Sequence, residues 1–195
     1  MAYCTEEEVR LRMGHPNAND ANLSTRIVDA IPAAQQLIDG DTGRTFEAST
    51  RTITFGADDH DYVLRVPDLI SVTTLKVDDN DDGVYEVTIA ASGFELDTLY
   101  TSQPGWPYDT VRLLDRSWPC GGRRRRRIEI VGSWGWSAVP SPINQACALL
   151  AARIAQRPSR ALFGIEAAGE MGGYIRSQDP DYLHLIAQFR KPQVA

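Results

Sequence analysis

The sequence predicts an α+β protein: a small helical core made by N-terminal helices and a helix near 142–157, an inserted antiparallel β region, and a C-terminal docking helix. Three observations predict this class. Apolar residues recur at helical spacing towards both ends of the chain. The middle, from Arg51 to Val131, alternates apolar and polar residues and is rich in β-branched side chains. Gly, Pro, Asn and Asp punctuate that middle at short intervals, as turns between antiparallel strands require. The division that follows is a helical core over 1–48 and 140–158, a β-rich insertion over 49–139, a flexible glycine-containing segment over 159–178, and a helix-bearing tail over 179–195.

The first helix is set by Thr5 as its cap and Glu8 at the capping-box position, with Glu6, Glu7 and Glu8 favoured by the positive end of the helix dipole. It should stop near Gly14, before the polar turn His15–Asp20. A longer helix follows, carrying Leu23, Ile27, Ala30, Ile31, Ala34, Leu37 and Ile38 on one stripe, with Gly40 and Gly43 to end it. Pro32 lies inside it and lacks a backbone donor, which predicts a kink or a break. Strands are expected at 51–55, 62–66, 72–77, 84–88, 93–96, 111–114 and 127–131, all antiparallel. Ser141 as cap and Pro142 at the first helical position then open a helix with Ile143, Ala146, Cys147, Leu150, Ala151 and Ile154 on one face. After the aperiodic stretch 159–178, with Gly164, Gly169, Gly172 and Gly173, Asp179-Pro180 opens a last helix bearing Tyr182, Leu183, Leu185, Ile186 and Phe189. So short a helix is marginal in water, so its apolar stripe must be sheltered, either on its own core or in a groove of a partner.

With 195 residues, 43% hydrophobic and 24% charged, the chain has enough apolar material for a folded core, which excludes global disorder. No run approaches the roughly 18 apolar residues of a membrane span, and the opening Met1–Glu8 shows no basic-then-apolar leader pattern, so the protein is expected to be made in the cytoplasm and to have no membrane partner. Cys4, Cys120 and Cys147 fit neither a disulfide framework nor a paired-cysteine zinc site and read as reduced thiols, Cys147 as a small core residue. The net charge of −6 argues against a protein that coats nucleic acid through general positive charge. The cations are unevenly placed, however: lysine occurs only at Lys76 and Lys191, while Arg123, Arg124, Arg125, Arg126 and Arg127 are consecutive.

No nucleophile elbow, H-E-x-x-H, C-x-x-C, phosphate-cradling loop or dinucleotide fingerprint occurs, and His15, His60 and His184 fall in separate elements, so no enzyme and no cofactor is expected. Asp78, Asn80 and Asp82, followed by Gly83, match the first half of a calcium-binding EF loop, but its twelfth position is Ile89 where a bidentate glutamate is needed. A polar hairpin turn with Gly83 at positive φ explains the same residues and is the preferred reading over weak calcium binding. Asp58-Asp59-His60-Asp61 reads as a solvated turn in the same way; a metal-dependent enzyme built on these aspartates is the alternative. The five arginines form either a solvated loop or a patch for DNA phosphates or an acidic partner, since such a run repels itself. Trp134 and Trp136 serve as interface anchors or close the β core, and the core role is preferred.

Several short motifs, Tyr3-Cys4-Thr5-Glu6-Glu7-Glu8-Val9, Ile38-Asp39 with Thr42-Gly43-Arg44-Thr45-Phe46, Pro67-Asp68-Leu69-Ile70-Ser71-Val72-Thr73-Thr74-Leu75, and Gly132-Ser133-Trp134-Gly135-Trp136-Ser137-Ala138-Val139-Pro140 running into Ala151-Ala152-Arg153, together span almost the whole chain. Their order resembles the head-to-tail connector (adaptor, head-completion) proteins of tailed bacteriophages. The resemblance implies a structural subunit of the virion neck, made in the bacterial host cytoplasm and forming a ring of twelve copies below the portal protein. It implies a further contact with the next neck or tail protein, a stopper or tail terminator, and a lumen through which genomic DNA passes. It also implies that the C-terminal segment meets the portal, a role that falls here to Tyr182, Leu183, Ile186 and Phe189. The long β region and the arginine run leave a stopper in the same neck, or a DNA-binding module, as alternatives.

Overall fold

The computed structural model describes residues 2–14, 20–57, 62–98, 105–119, 126–156 and 180–191. The chain forms two compact units, one from Met1–Arg44 with Val139–Ala195 and one from Thr45–Ala138.

The helical unit begins with α1 (Glu6–Arg12), whose capping box is complete: the Thr5 side chain accepts from the Glu8 amide while Glu8 accepts from the Thr5 amide at 2.7 Å. Asp20 caps α2 (Ala21–Thr42), which ends on Gly43 in the left-handed conformation, φ 65°, with its N–H donating to the Asp39 carbonyl. The predicted break at Pro32 does not occur; α2 is one helix. Pro32 and Val28, whose carbonyl loses its donor, both lie on the exposed side, where an unpaired carbonyl is accessible to solvent and costs little. Ile27, Ala30, Ile31, Ala34 and Ile38 are buried, while Leu37, at the edge of the stripe, stays 52% exposed. Facing α2 is α3 (Ser141–Gln156), whose buried residues are Ile143 and the small set Ala146, Cys147, Ala148, Ala151, Ala152 and Ala155. Alanines on this face let the two helix backbones approach closely. Then α4 (Pro180–Ile186), continued by a 3-10 turn over Ala187–Phe189, packs on α3. No helix among the described residues is long and apolar enough to cross a membrane.

The β unit is an antiparallel sheet of β1 (Ser49–Phe55), β2 (Val63–Val77), β3 (Val87–Ile89), β4 (Phe94–Asp97), β5 (Tyr108–Leu113) and β6 (Ile128–Trp134), ordered β1-β6-β2-β5-β4 with β3 beside the second half of β2. The strands expected at 62–66 and 72–77 are one strand. Pro67 cannot join a ladder, and it is accommodated between the pairings Arg65–Thr110 and Leu69–Tyr108, where the register shifts. Further shifts follow against β6 between Leu69 and Ser71 and between Val72 and Thr74. These irregularities change the phase of alternation: Leu64 and Val66 are buried at even positions, Leu69, Leu75 and Val77 at odd ones, and all five lie in one core with Val111, Leu113, Trp118, Ile128, Ile130 and Trp134.

Candidate interaction surfaces

The expectation is that the C-terminal helix offers its stripe to a portal; in the chain by itself three of the four stripe residues are packed inside the helical unit. Tyr182, Ile186 and Phe189 are 4%, 0% and 3% exposed within the helical unit. The Tyr182 hydroxyl donates to Asp41 Oδ2 at 2.7 Å, and burial and this carboxylate hold the phenol well above its ordinary pKa. Arg44 Nε donates to the Phe189 carbonyl at 2.8 Å, and the Lys191 amide donates to the Thr42 carbonyl. The chain's own helices shelter the stripe, the first of the two outcomes its amphipathicity allowed. Leu183 and Leu185, on its flanks, are half-buried, and His184 is exposed.

The arginine run divides. Arg123, Arg124 and Arg125 lie outside the described residues. Arg126 is exposed, and its carbonyl accepts from the Tyr85 hydroxyl. Arg127 is 8% exposed and does not belong to a solvent-facing patch: its Nε donates to the Asp78 carbonyl at 2.9 Å and its second guanidinium nitrogen to the Asp79 carbonyl at 2.7 Å. Arg116 forks onto Asp79 in two bonds at 2.9 and 2.5 Å, and this hydrogen-bonded guanidinium holds the Asp79 carboxyl below its usual range. No periodicity in the sequence marked either contact.

Those arginines brace the turn that carries Asp78, Asn80 and Asp82. The Asp78 carboxylate accepts from the Asp81 and Gly83 amides at 2.7 and 2.8 Å, and Asp82 accepts from the Val84 amide at 2.7 Å. Asn80 bonds only to Asp82, and Asp81 and Gly83 take positive φ of 63° and 91°. The hairpin-turn reading therefore accounts for each of them. Asp78, Asp82 and Glu86, a set different from the EF-like trio, bring oxygens within 4.8 Å of one another, but Asp78 already directs both oxygens to backbone donors. Asp58–Asp61 lie outside the described residues.

Both late tryptophans are core residues. Trp134 donates from Nε1 to the Arg51 carbonyl at 2.9 Å and packs at a tilt against Phe55, ring centroids 5.8 Å apart. Trp136 donates to Asp68 Oδ2 at 3.3 Å and lies between Phe46 and half-buried Trp106, centroids 5.3 and 5.0 Å away. Gly135 between them has φ 98°, and a Cβ there would fall 2.1 Å from the Glu47 carbonyl oxygen, so only glycine fits.

What remains open to partners includes exposed apolar side chains: Leu11, Val28 and Leu37 on the helical unit, and Tyr62, Val63, Val84, Tyr108 and Leu114 on the β unit. Leu11 also borders a shallow groove of about 270 Å³ lined by Glu8, Arg12, Asn144 and Ala148. Single exposed hydrophobics are ordinary. Of those on the β unit only Val63 and Tyr108 lie in strands, while Leu11 is on α1 and Val28 and Leu37 are on α2.

No family model matches the sequence, and no curated protein matches it significantly. Solved structures do. A chain from the neck of an empty GTA particle computed with C6 symmetry superposes with a TM-score of 0.60 at 22% identity, covering 96% of this chain and 89% of that one. The chain has the fold of a neck protein. A second neck chain, from a native GTA particle computed with C12 symmetry, gives a TM-score of 0.55 at 23% identity over 96% of this chain and 88% of the other. A chain from the virion of a native gene transfer agent particle gives 0.52 at 24% identity over 92% and 81%. The neck fold thus includes both units, the helical one and the β insertion, since the match leaves almost none of the chain aside.

Proposed function

We propose that this chain is a structural neck subunit of a phage-like particle, a head-to-tail adaptor that forms a homo-oligomeric ring below the portal, and that it catalyses no reaction. The observation that carries this reading is the superposition on neck chains over 96% of its length. A neck computed with C12 symmetry among those neighbours supports twelve copies. A stopper in the same neck is the second reading, and a neck computed with C6 symmetry among the neighbours supports a ring in either case. The partners are then the portal, a further copy on either side, the next neck or tail protein, and DNA in the lumen. Exposed Arg126, with Arg123, Arg124 and Arg125 before it in the chain, is assigned to DNA phosphates or to an acidic neighbouring ring, a role Arg127 does not share.

Portal attachment has to be achieved with the C-terminal stripe in its own core, so we assign it to the half-buried flank of α4 at Leu183. Truncation of 179–195 would remove core residues and is uninformative. The test is co-migration of the purified chain with the portal ring of its particle. The wild-type chain should form the complex, and Leu183→Asp should lose it while keeping its helical circular dichroism. A wild-type chain that never joins the portal sinks the adaptor reading; an undiminished Leu183→Asp complex sinks only the role of α4.

A further inference from the structure

Cys4 and Cys147 are far apart in sequence, 143 residues, yet their sulfurs lie 3.0 Å apart, in hydrogen-bond contact, inside the helical unit. Both are free thiols, 1% and 0% exposed. Cys147 sits on the buried face of α3, and Cys4 belongs to the bend that leads into α1. That segment is fixed on both sides of Cys4: the Tyr3 carbonyl accepts from Asn144 Nδ2 at 3.0 Å, the Tyr3 hydroxyl donates to Asp39 Oδ1 at 2.7 Å, and Thr5 is locked in the capping box. The two sulfurs are therefore held as neighbours by contacts that do not involve them. Only about 1 Å of approach separates this contact from the roughly 2.05 Å of a disulfide bond.

We infer that Cys4 and Cys147 are a modification site, a buried dithiol that a small-molecule disulfide such as oxidised glutathione converts to an intramolecular cystine. Cys4 is the attacking sulfur. The hydrogen-bond contact between the two sulfurs lowers its pKa against the opposing effects of burial and Glu8. Cys147 is held as a thiol, first by its bond to Cys4, then by burial. Cys4 gives its proton to solvent and attacks one sulfur of the glutathione disulfide; that S–S bond breaks, one glutathione leaves as thiolate and takes up a proton, and a mixed disulfide stands on Cys4. Cys147 then loses its proton and attacks the Cys4 sulfur, a new S–S bond forms, and the second glutathione thiolate leaves and is protonated. Two protein thiols are oxidised and one disulfide is reduced to two thiols. Because both sulfurs are buried, the reagent enters through transient opening of the segment around Cys4.

The bond would join the two separate chain segments of the helical unit, Met1–Arg44 and Val139–Ala195, closing the β unit into a covalent loop. In a neck subunit, a premise that rests on the function proposed above, the dithiol would stay reduced during assembly in a cell and oxidise once the particle is released into an oxidising medium.

The experiment incubates the reduced full-length chain with oxidised glutathione, denatures it and alkylates it. One of the three cysteines, Cys120, should react, the intact mass before alkylation should be lower by two hydrogens, and a Cys4–Cys147 linked peptide should appear. Cys120→Ser should keep the linkage and melt about 5–10 °C higher oxidised than reduced; Cys4→Ser should lose both effects. Three alkylated cysteines, a linkage through Cys120, stable glutathione adducts on Cys4 or Cys147, or an unchanged melting midpoint in oxidised Cys120→Ser would overturn the inference. None of these results bears on the neck reading, so the two fail separately.

Discussion

Arg127 carries its charge into the β unit and satisfies two backbone carbonyls of the Asp78–Gly83 turn, while Arg126, one residue earlier, stays in solvent. Hydrogen bonds from a charged donor contribute about 1.5–3 kcal/mol, and truncation also leaves the carbonyl of buried Asp78 without this partner. Arg127→Ala is therefore expected to destabilise the protein by about 2–3 kcal/mol in urea denaturation, and Arg126→Ala by less than about 0.5 kcal/mol. Equal effects would return Arg127 to the surface patch. A run of identical residues has no phase, and this is why the sequence left Arg127 among its neighbours although the strand it borders was legible. Trp134 and Trp136 were legible because their size and β flanks restrict where they fit.

Asp39 shows the opposite balance of burial and charge. Burial raises its carboxyl pKa above the ordinary value, and the bond from the Tyr3 hydroxyl only partly offsets this. The folded state thus holds the Asp39 proton more tightly than the unfolded chain. Its favourable contribution is complete below the unfolded pKa and is lost as pH rises through the folded one. Asp39→Asn keeps an acceptor for Tyr3 and removes the desolvated charge. The variant should have a higher urea midpoint than wild type at pH 7, with the advantage shrinking as the pH falls through the raised folded-state pKa and absent below the ordinary aspartate value. Glu8 runs the other way: its backbone bond from Thr5 lowers its pKa, so its contribution disappears in acid, but equally in both proteins. An advantage that grows in acid would refute the assignment.

Among elements, α4 was legible as a helix and as an apolar stripe, but its destination was not. Periodicity reports that a face will be buried and is silent on whose surface buries it. Three backbone or side-chain bonds around Asp41, Thr42 and Arg44 tie the α4 region to the end of α2. Ile186→Ala is accordingly expected to cost about 2–5 kcal/mol in the isolated chain, the usual range for deleting a buried aliphatic side chain. If the free chain loses less than about 1 kcal/mol, the stripe is not core. β2 was misread for a related reason: the alternation of Val63–Val66 and that of Leu75–Val77 are each correct but out of phase, and only a register shift inside one strand reconciles them. Pro67 marked the irregularity without revealing that pairing resumes beyond it.

At the scale of the molecule, the α+β class was legible from the change of period at both ends of the β region, and the antiparallel sheet from the density of turn residues. Strand order was not, because β6 lies between β1 and β2 and so pairs with strands distant in sequence. Neither were the contacts inside the helical unit between residues near 4 and 147 or near 44 and 189, which no local pattern encodes. Likeness to neck chains rests on this whole arrangement, both units included, and on no single motif.

The helical unit is drawn from two stretches that bracket the whole β unit, Met1–Arg44 and Val139–Ala195. During synthesis the first stretch leaves the ribosome with the apolar stripe of α2 uncovered, and α3 does not emerge until residues 45–138 have been translated. At about 5–20 residues per second that is a delay of several seconds, ample time for the sheet to form first and for a chaperone to hold α2 until its partner arrives.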